Sequence, residues 1–152
     1  PLVAPFQLKQ VLSQISDAKN KGAEIYGLSR PKHPGFFITP GIITNVNHEM
    51  DVMQEETFGP LISILEFNDL SEAITLANDS HYGLTASIWT KNTLKAQEIA
   101  KQLEFATVQI NRHGMSKMGC PWGGCKQSGI GRMYSKEGIR ELTNIKHVWT
   151  MK

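Results

Sequence analysis

Apolar residues recur along this chain at two different spacings, and the two take turns. Leu8, Val11, Leu12, Ile15 and Ala18 stand three or four positions apart, which is the period of one helix face, so the pattern predicts an amphipathic helix over 7–21 that Gly22 ends. "AEIYGL" then reads as a short strand, and Pro31, Pro34 and Gly35 mark a loop. "GFFITPGIIT" is extended but interrupted by Pro40, which cannot donate to a ladder and so points to an edge or a bend. "LISILEF" is a continuous apolar run, the pattern of a strand buried on both faces. Asp69 with Glu72 resembles a capping box ahead of the stripe Leu70, Ala73, Ile74 and Ala77. "GLTASIWT" follows as a strand, Ala96, Ile99, Ala100 and Leu103 as a helix face, "FATVQIN" as a strand, "SKEGIREL" as a short helix and "IKHVWTM" as a last strand. Strands alternating with helices of about 11 to 15 residues specify βαβ units, hence an α/β fold with a largely parallel sheet. The 152 residues suffice for one such domain.

Several partner classes drop out at this stage. No run approaches the roughly 18 consecutive apolar residues of a membrane-spanning helix. The 16 Lys and Arg balance 14 Asp and Glu to a formal +2, and no basic block interleaved with aromatics offers a footprint for nucleic acid. Cys120 and Cys125 are the only cysteines, too few for a secreted disulfide framework, and with no signal peptide ahead of them the expected compartment is the cytoplasm. The chain opens on Pro1 with no initiator Met, which reads as the interior of a longer protein.

Two segments concentrate candidate chemistry. In "MQEETFGPLISILEF" the carboxylates Glu55 and Glu56 and the ring of Phe58 crowd the mouth of an apolar strand. A Gly-Pro turn with polar flanks and a core-filling Phe would also account for them. "CPWGGCKQSGIGR", residues 120–132, carries four glycines and suits a loop at the C-terminal end of a parallel strand, where ligands of open α/β sheets bind. It has neither the G-x-x-x-x-G-K-[ST] nor the G-x-G-x-x-G spacing of a phosphate loop. Cys120 and Cys125 form at most half a zinc site, and the histidines at 33, 48, 81, 113 and 147 are dispersed, so no metal is expected. Lys126 and His113 lie near the cysteines in sequence, which leaves a reactive thiol open beside the plainer reading of two small thiols in a tight loop.

Taken in order, "MQEETFGP", "ANDSHYGLTASIWT", "VQIN", "PWGGCKQSGIGR" and "ELTNIKHV" resemble the C-terminal part of the aldehyde dehydrogenase superfamily. The opening "PLVAPFQLKQVLSQISDAKNKGAEI" and "GFFITPGIITNV" resemble the segment that leads into that family's EExFGP motif, so nearly the whole chain is covered. The resemblance implies a three-layer α/β/α catalytic domain with a largely parallel sheet, here incomplete. It implies NAD or NADP as cofactor, with Glu56 hydrogen-bonded to the nicotinamide ribose hydroxyls and Phe58 packed at the nicotinamide end. A carboxylate can accept from both hydroxyls of a diol, and an aromatic face suits a flat heterocycle. Trp122 takes the place of an aromatic that lines the aldehyde tunnel, and residues 111–120 that of a variable loop shaping substrate choice.

The departures are as specific. The family's nucleophilic Cys, its general-base Glu, the Asn that helps bind the oxyanion and the dinucleotide-binding domain belong upstream of the matched region, and Cys120 and Cys125 are not at the nucleophile's position. Ala106 stands where Gly is usual before the "TVxxN" strand. No catalytic residue is therefore assigned, and the chain alone is expected to be inactive, a wall of an aldehyde site without its nucleophile. The resemblance also implies that a terminal strand, about 145–152, pairs with a neighbouring subunit, making a homo-oligomer. Two rivals are a naturally short, catalytically dead relative serving as a binding or assembly module, and a distinct thiol enzyme using Cys120 or Cys125.

Overall fold

A stripe of apolar side chains on one helix needs a surface to cover, and the first third of the chain supplies it. The computed structural model describes residues 1–32, 34–114 and 117–151. His33, two residues of the expected variable loop (115 and 116) and the last residue of the expected terminal strand (152) lie outside them. The chain divides into two units, Pro1–Glu72 and Ala73–Lys152, each taken by itself below.

In the first unit, α1 (Pro5–Asn20) begins two residues before the expected start, because Pro5 sits at the first helical turn, where the missing N–H costs nothing. Strands β1 (Glu24–Gly27), β2 (Gly41–Thr44) and β3 (Leu61–Ser63) form one sheet in that order, with β1 antiparallel and β3 parallel to β2. Pro40 stands just ahead of β2, outside the ladder to which it could not donate. The core joins Ala18, Ile43, Val46, Met50 and Val52 to a neighbouring cluster of Leu8, Val11 and Ile38. Helix α2 (Asp51–Gln54) is a single turn. It is tied to α1 by Asp17, whose carboxylate accepts from the Asp51 N–H at 3.0 Å and pairs with Lys21 at 2.7 Å. The Lys21 hydrogen bond, reinforced by that backbone donor, lowers the Asp17 pKa, and Asp17 in turn raises that of Lys21.

One expectation needs correction here. "LISILEF" is not buried on both faces: the strand ends at Ser63, and Ile62 and Ile64 are 66% and 45% exposed. Ile62 stands opposite Ile42, and Ile42 opposite Tyr26. All three are exposed while the adjacent Ile43 is fully buried, so within this unit the sheet is apolar on an open face as well as on its core face.

Helix α3 (Leu70–Asn78) spans the division between the units. Its capping box is formed: Asp69 Oδ1 accepts from the Glu72 N–H at 2.9 Å. The Glu72 carboxylate reaches one residue further back than expected, to the Asn68 N–H at 2.6 Å. The second unit continues with β4 (Tyr82–Gly83), β5 (Thr85–Ile88), α4 (Thr93–Ala100) and β6 (Thr107–Ile110). Strands β5 and β6 are parallel across α4, the βαβ unit the alternation implies. Short strands β7 (Trp122–Gly123), β8 (Cys125–Lys126) and β9 (Arg132–Met133) follow, then α5 (Lys136–Glu141), capped by Ser135. β8 pairs antiparallel with β4, and β7 with β9. The fold is α/β, and among the described residues its strands form small sheets of two or three. Residues 145–151 pair with none of them and are exposed.

Candidate functional site

Glu55 ends α2 in an extended conformation, donating its N–H to Asp51 at 2.8 Å, and so releases the chain into the loop 55–60. The next residues alternate, with Glu56 and Phe58 exposed on either side of half-buried Thr57, whose Oγ1 is buried without a hydrogen-bond partner. What holds this loop is α1. Gln7 donates to the Phe58 carbonyl at 2.9 Å and Gln10 to the Glu56 carbonyl at 3.4 Å. Gly59 lies so close to the helix that a Cβ there would stand 2.8 Å from Val11 Cγ2. Pro60 then accepts from the Gly41 N–H at 3.0 Å and passes the chain to β3. The backbone of the motif is anchored while the carboxylate of Glu56 and the ring of Phe58, 67% exposed, point outward. Two such groups, two residues apart on a fixed backbone, present a hydrogen-bond acceptor and an aromatic face to solvent. A core-filling role for Phe58 does not match that exposure.

Gln7 and Gln10 were not singled out from the sequence. Their signal is a polar residue inside an apolar face: Gln7 and Gln14 are both buried, at 9% and 4% exposure, in line with Leu8, Val11 and Ala18. A long amide placed there needs a partner, and Gln7 finds one 51 positions away.

Trp122 is half-buried on β7, opposite Met133, and its ring lies 6.3 Å from that of Tyr134 at a tilt of 42°. It belongs to the second unit, and Glu56 and Phe58 to the first. The glycine-rich loop after it turns tightly. Gly124 is buried against Ser128, Ser128 Oγ accepts from the Gly83 N–H at 3.0 Å, and Arg132 Nη1 donates to the Gly124 carbonyl at 2.8 Å.

Among the described residues, the two basic groups near the cysteines in sequence are engaged elsewhere. Cys120 is exposed, Cys125 half-buried, and both are unpaired. The ammonium of Lys126 is committed elsewhere, to the carbonyls of Asn78 and Ser80 at 2.6 and 3.0 Å and to Glu104 at 2.8 Å, where it closes the C-terminal end of α3. His113 faces Ser87, with Nδ1 3.5 Å from its hydroxyl. Asn111 caps the β5–β6 pair, bonding both backbone groups of Thr90 at 2.8 Å. Among the described residues no group of three or more His, Cys, Asp or Glu is placed to hold a metal ion, and no helix is long and apolar enough to cross a membrane.

The family model described as "Aldehyde dehydrogenase family" matches residues 1–148. A betaine aldehyde dehydrogenase of Bacillus subtilis is 38% identical over 154 residues, covering 98% of this chain and 31% of the relative. Aminoaldehyde dehydrogenase 1 of Pisum sativum, a peroxisomal protein, is 40% identical over 151 residues, covering 97% of this chain and 30% of the relative. A crystal structure of betaine aldehyde dehydrogenase from Staphylococcus aureus in complex with NAD+ superposes with a TM-score of 0.87 at 40% identity, over 93% of this chain and 29% of that one. The chain spans about 30% of the length of the curated relatives it matches.

Proposed function

Because the chain belongs to the aldehyde dehydrogenase family, we propose that it is part of an NAD-linked enzyme that oxidises an aldehyde to a carboxylic acid, and that its first unit presents Glu56 and Phe58 to the nicotinamide riboside of the cofactor. The observation that carries this reading is the anchored loop with Glu56 and Phe58 turned outward. The Glu56 carboxylate accepts hydrogen bonds from the ribose hydroxyls, and Phe58 limits sliding of the nicotinamide ring. The cofactor, once bound, supplies the hydride acceptor; this chain's part is to fix where that acceptor stands. NAD is favoured over NADP because the neighbouring solved structure holds NAD+. A separate assembly module is not favoured, because the relatives matched over 97–98% of the chain are aldehyde dehydrogenases.

On the aldehyde side we assign Trp122 to the tunnel wall. The names of the pea and bacterial relatives put amino- and ammonium-bearing aldehydes first among substrates to try, and the face of an indole attracts a cation within about 6 Å. In the full-length protein, assayed by NADH formation, Trp122→Ala should lower kcat/KM for betaine aldehyde by roughly tenfold, the order of a desolvated cation–π contact, relative to an uncharged aldehyde of similar size. Its KM for NAD+ should not change. Identical aldehyde profiles in the two proteins would remove Trp122 from the tunnel.

We further propose that residues 145–151 pair with another subunit. Ile145, Val148, Trp149 and Met151 are 99%, 78%, 78% and 80% exposed, and an apolar segment that pairs with none of the described strands invites strand addition. Light scattering behind size exclusion should find the 152-residue chain self-associated at high micromolar concentration and a chain ending at Asn144 monomeric. A monomeric whole chain, or equal association after truncation, counts against it.

A further inference from the structure

Arg132 closes the loop that carries Trp122. Its Nη1 lies within hydrogen-bond distance of three carbonyls, Gly124 at 2.8 Å, Gly131 at 2.9 Å and Ile130 at 3.1 Å, so two protons are shared among three acceptors of one glycine-rich turn. The bond to Gly124 spans eight residues and is partly buried, whereas the other two are local and exposed. The side chain lies across Gly123, where a Cβ would stand 2.9 Å from Nη1. The backbone of Arg132 is held in turn, its N–H donating to Glu141 Oε2 of α5 at 2.9 Å. On the opposite strand of the same two-residue ladder, Gly123 pairs with Arg132 and Trp122 with Met133, and the Tyr134 ring lies 6.3 Å from the indole.

A loop of glycines has little of its own to fix its shape, since each lacks the steric limits of a side chain. Here its carbonyls converge on one guanidinium, and hydrogen bonds to a charged donor are about twice as strong as neutral ones. We propose that Arg132 is a positioning residue for the aldehyde: it sets the placement of the Trp122 ring by holding the Gly124–Gly131 turn, and so tunes which aldehyde is accepted without touching substrate or cofactor. This inference rests on the tunnel role assigned to Trp122. Lysine cannot replace the group, because a single ammonium on a flexible stem does not present the rigid planar fork that lies across Gly123.

The test is steady-state kinetics of the full-length protein with betaine aldehyde and an uncharged aldehyde of similar size, on Arg132→Lys, Trp122→Ala and the double variant. Arg132→Lys should shift the ratio of the two kcat/KM values by about tenfold, the size of a weakened charged hydrogen bond. The shift should have the same direction as that of Trp122→Ala, with the KM for NAD+ unchanged, and in the Trp122→Ala background Arg132→Lys should add nothing. An unchanged ratio in a folded Arg132→Lys protein overturns the proposal, and so does an equal shift in both backgrounds. If Trp122→Ala itself leaves the ratio unchanged, the tunnel reading fails and this one with it; if Trp122→Ala shifts it and Arg132→Lys does not, only this one fails. Arg132→Gln, which keeps one neutral amide NH2, is the second variant, and whichever variant folds carries the comparison. Insolubility of both assigns Arg132 to the fold alone and overturns the proposal.

Discussion

Glu56→Gln and Phe58→Ala, made separately in the full-length protein, are each expected to slow hydride transfer by roughly 10²-fold, because a reacting group misplaced by about 1 Å loses about that much rate. Glutamine keeps the length of Glu56 but replaces a charged acceptor with a neutral amide, so the ribose hydroxyls lose charge-assisted bonds. Alanine at 58 removes a ring that is 67% exposed and therefore contributes little to the core. For that reason the loss should appear in the chemical step and not in the unfolding midpoint. Single-turnover formation of NADH with an aldehyde deuterated at its carbonyl carbon separates the cases, since a slowed hydride step raises the isotope effect. Wild-type single-turnover rates in both variants would show that these side chains do not hold the nicotinamide, whatever the resemblance implies. The anchoring of the loop predicts a second pattern within the same experiment. The carbonyls bonded by Gln7 and Gln10 are backbone groups, so neither substitution should disturb the loop itself.

Gly124→Ala is expected to destabilise the protein by about 1–3 kcal/mol, the range for forcing extra volume into a packed site. The added Cβ would stand 2.5 Å from the Ser128 carbonyl oxygen and 2.7 Å from Ser128 Cβ. Ser128 cannot retreat freely, because its Oγ holds the Gly83 N–H and its own N–H donates to Cys125 at 3.1 Å. The strain therefore passes into the β4–β8 pair. Gly131→Ala is the matched control: it lies in the same loop, its φ is not in the left-handed region, and its nearest contact would be Glu141 Oε2 at 3.4 Å. It should fall within about 0.5 kcal/mol of wild type, as surface substitutions do. Urea midpoints compared at equal m-values measure both, and equal midpoints for the two alanine variants would mean that the turn gives way more easily than its hydrogen bonds imply.

The sequence by itself determined the features whose causes are local. Helix α1 follows from a 3.6-residue apolar period, although it starts at Pro5, two residues ahead of that pattern, and the entry to α3 follows from Asp69 and Glu72, three positions apart. The family, too, was legible, because its motifs are short runs whose order survives without any knowledge of the fold. The tertiary structure alone decided which groups hold those motifs in place. Nothing near Phe58 in sequence points to Gln7, nothing near Lys126 to the carbonyls of Asn78 and Ser80, and nothing in "SGIGR" to the Gly124 carbonyl that Arg132 takes. Each of these is a hydrogen bond between groups made neighbours by chain reversal, and its direction depends on which carbonyl the turn leaves without a backbone partner. The same holds for Ile62. Its apolar character is local, but whether a strand's second face is covered depends on what packs there, so a run that reads as buried stands 66% exposed in this chain.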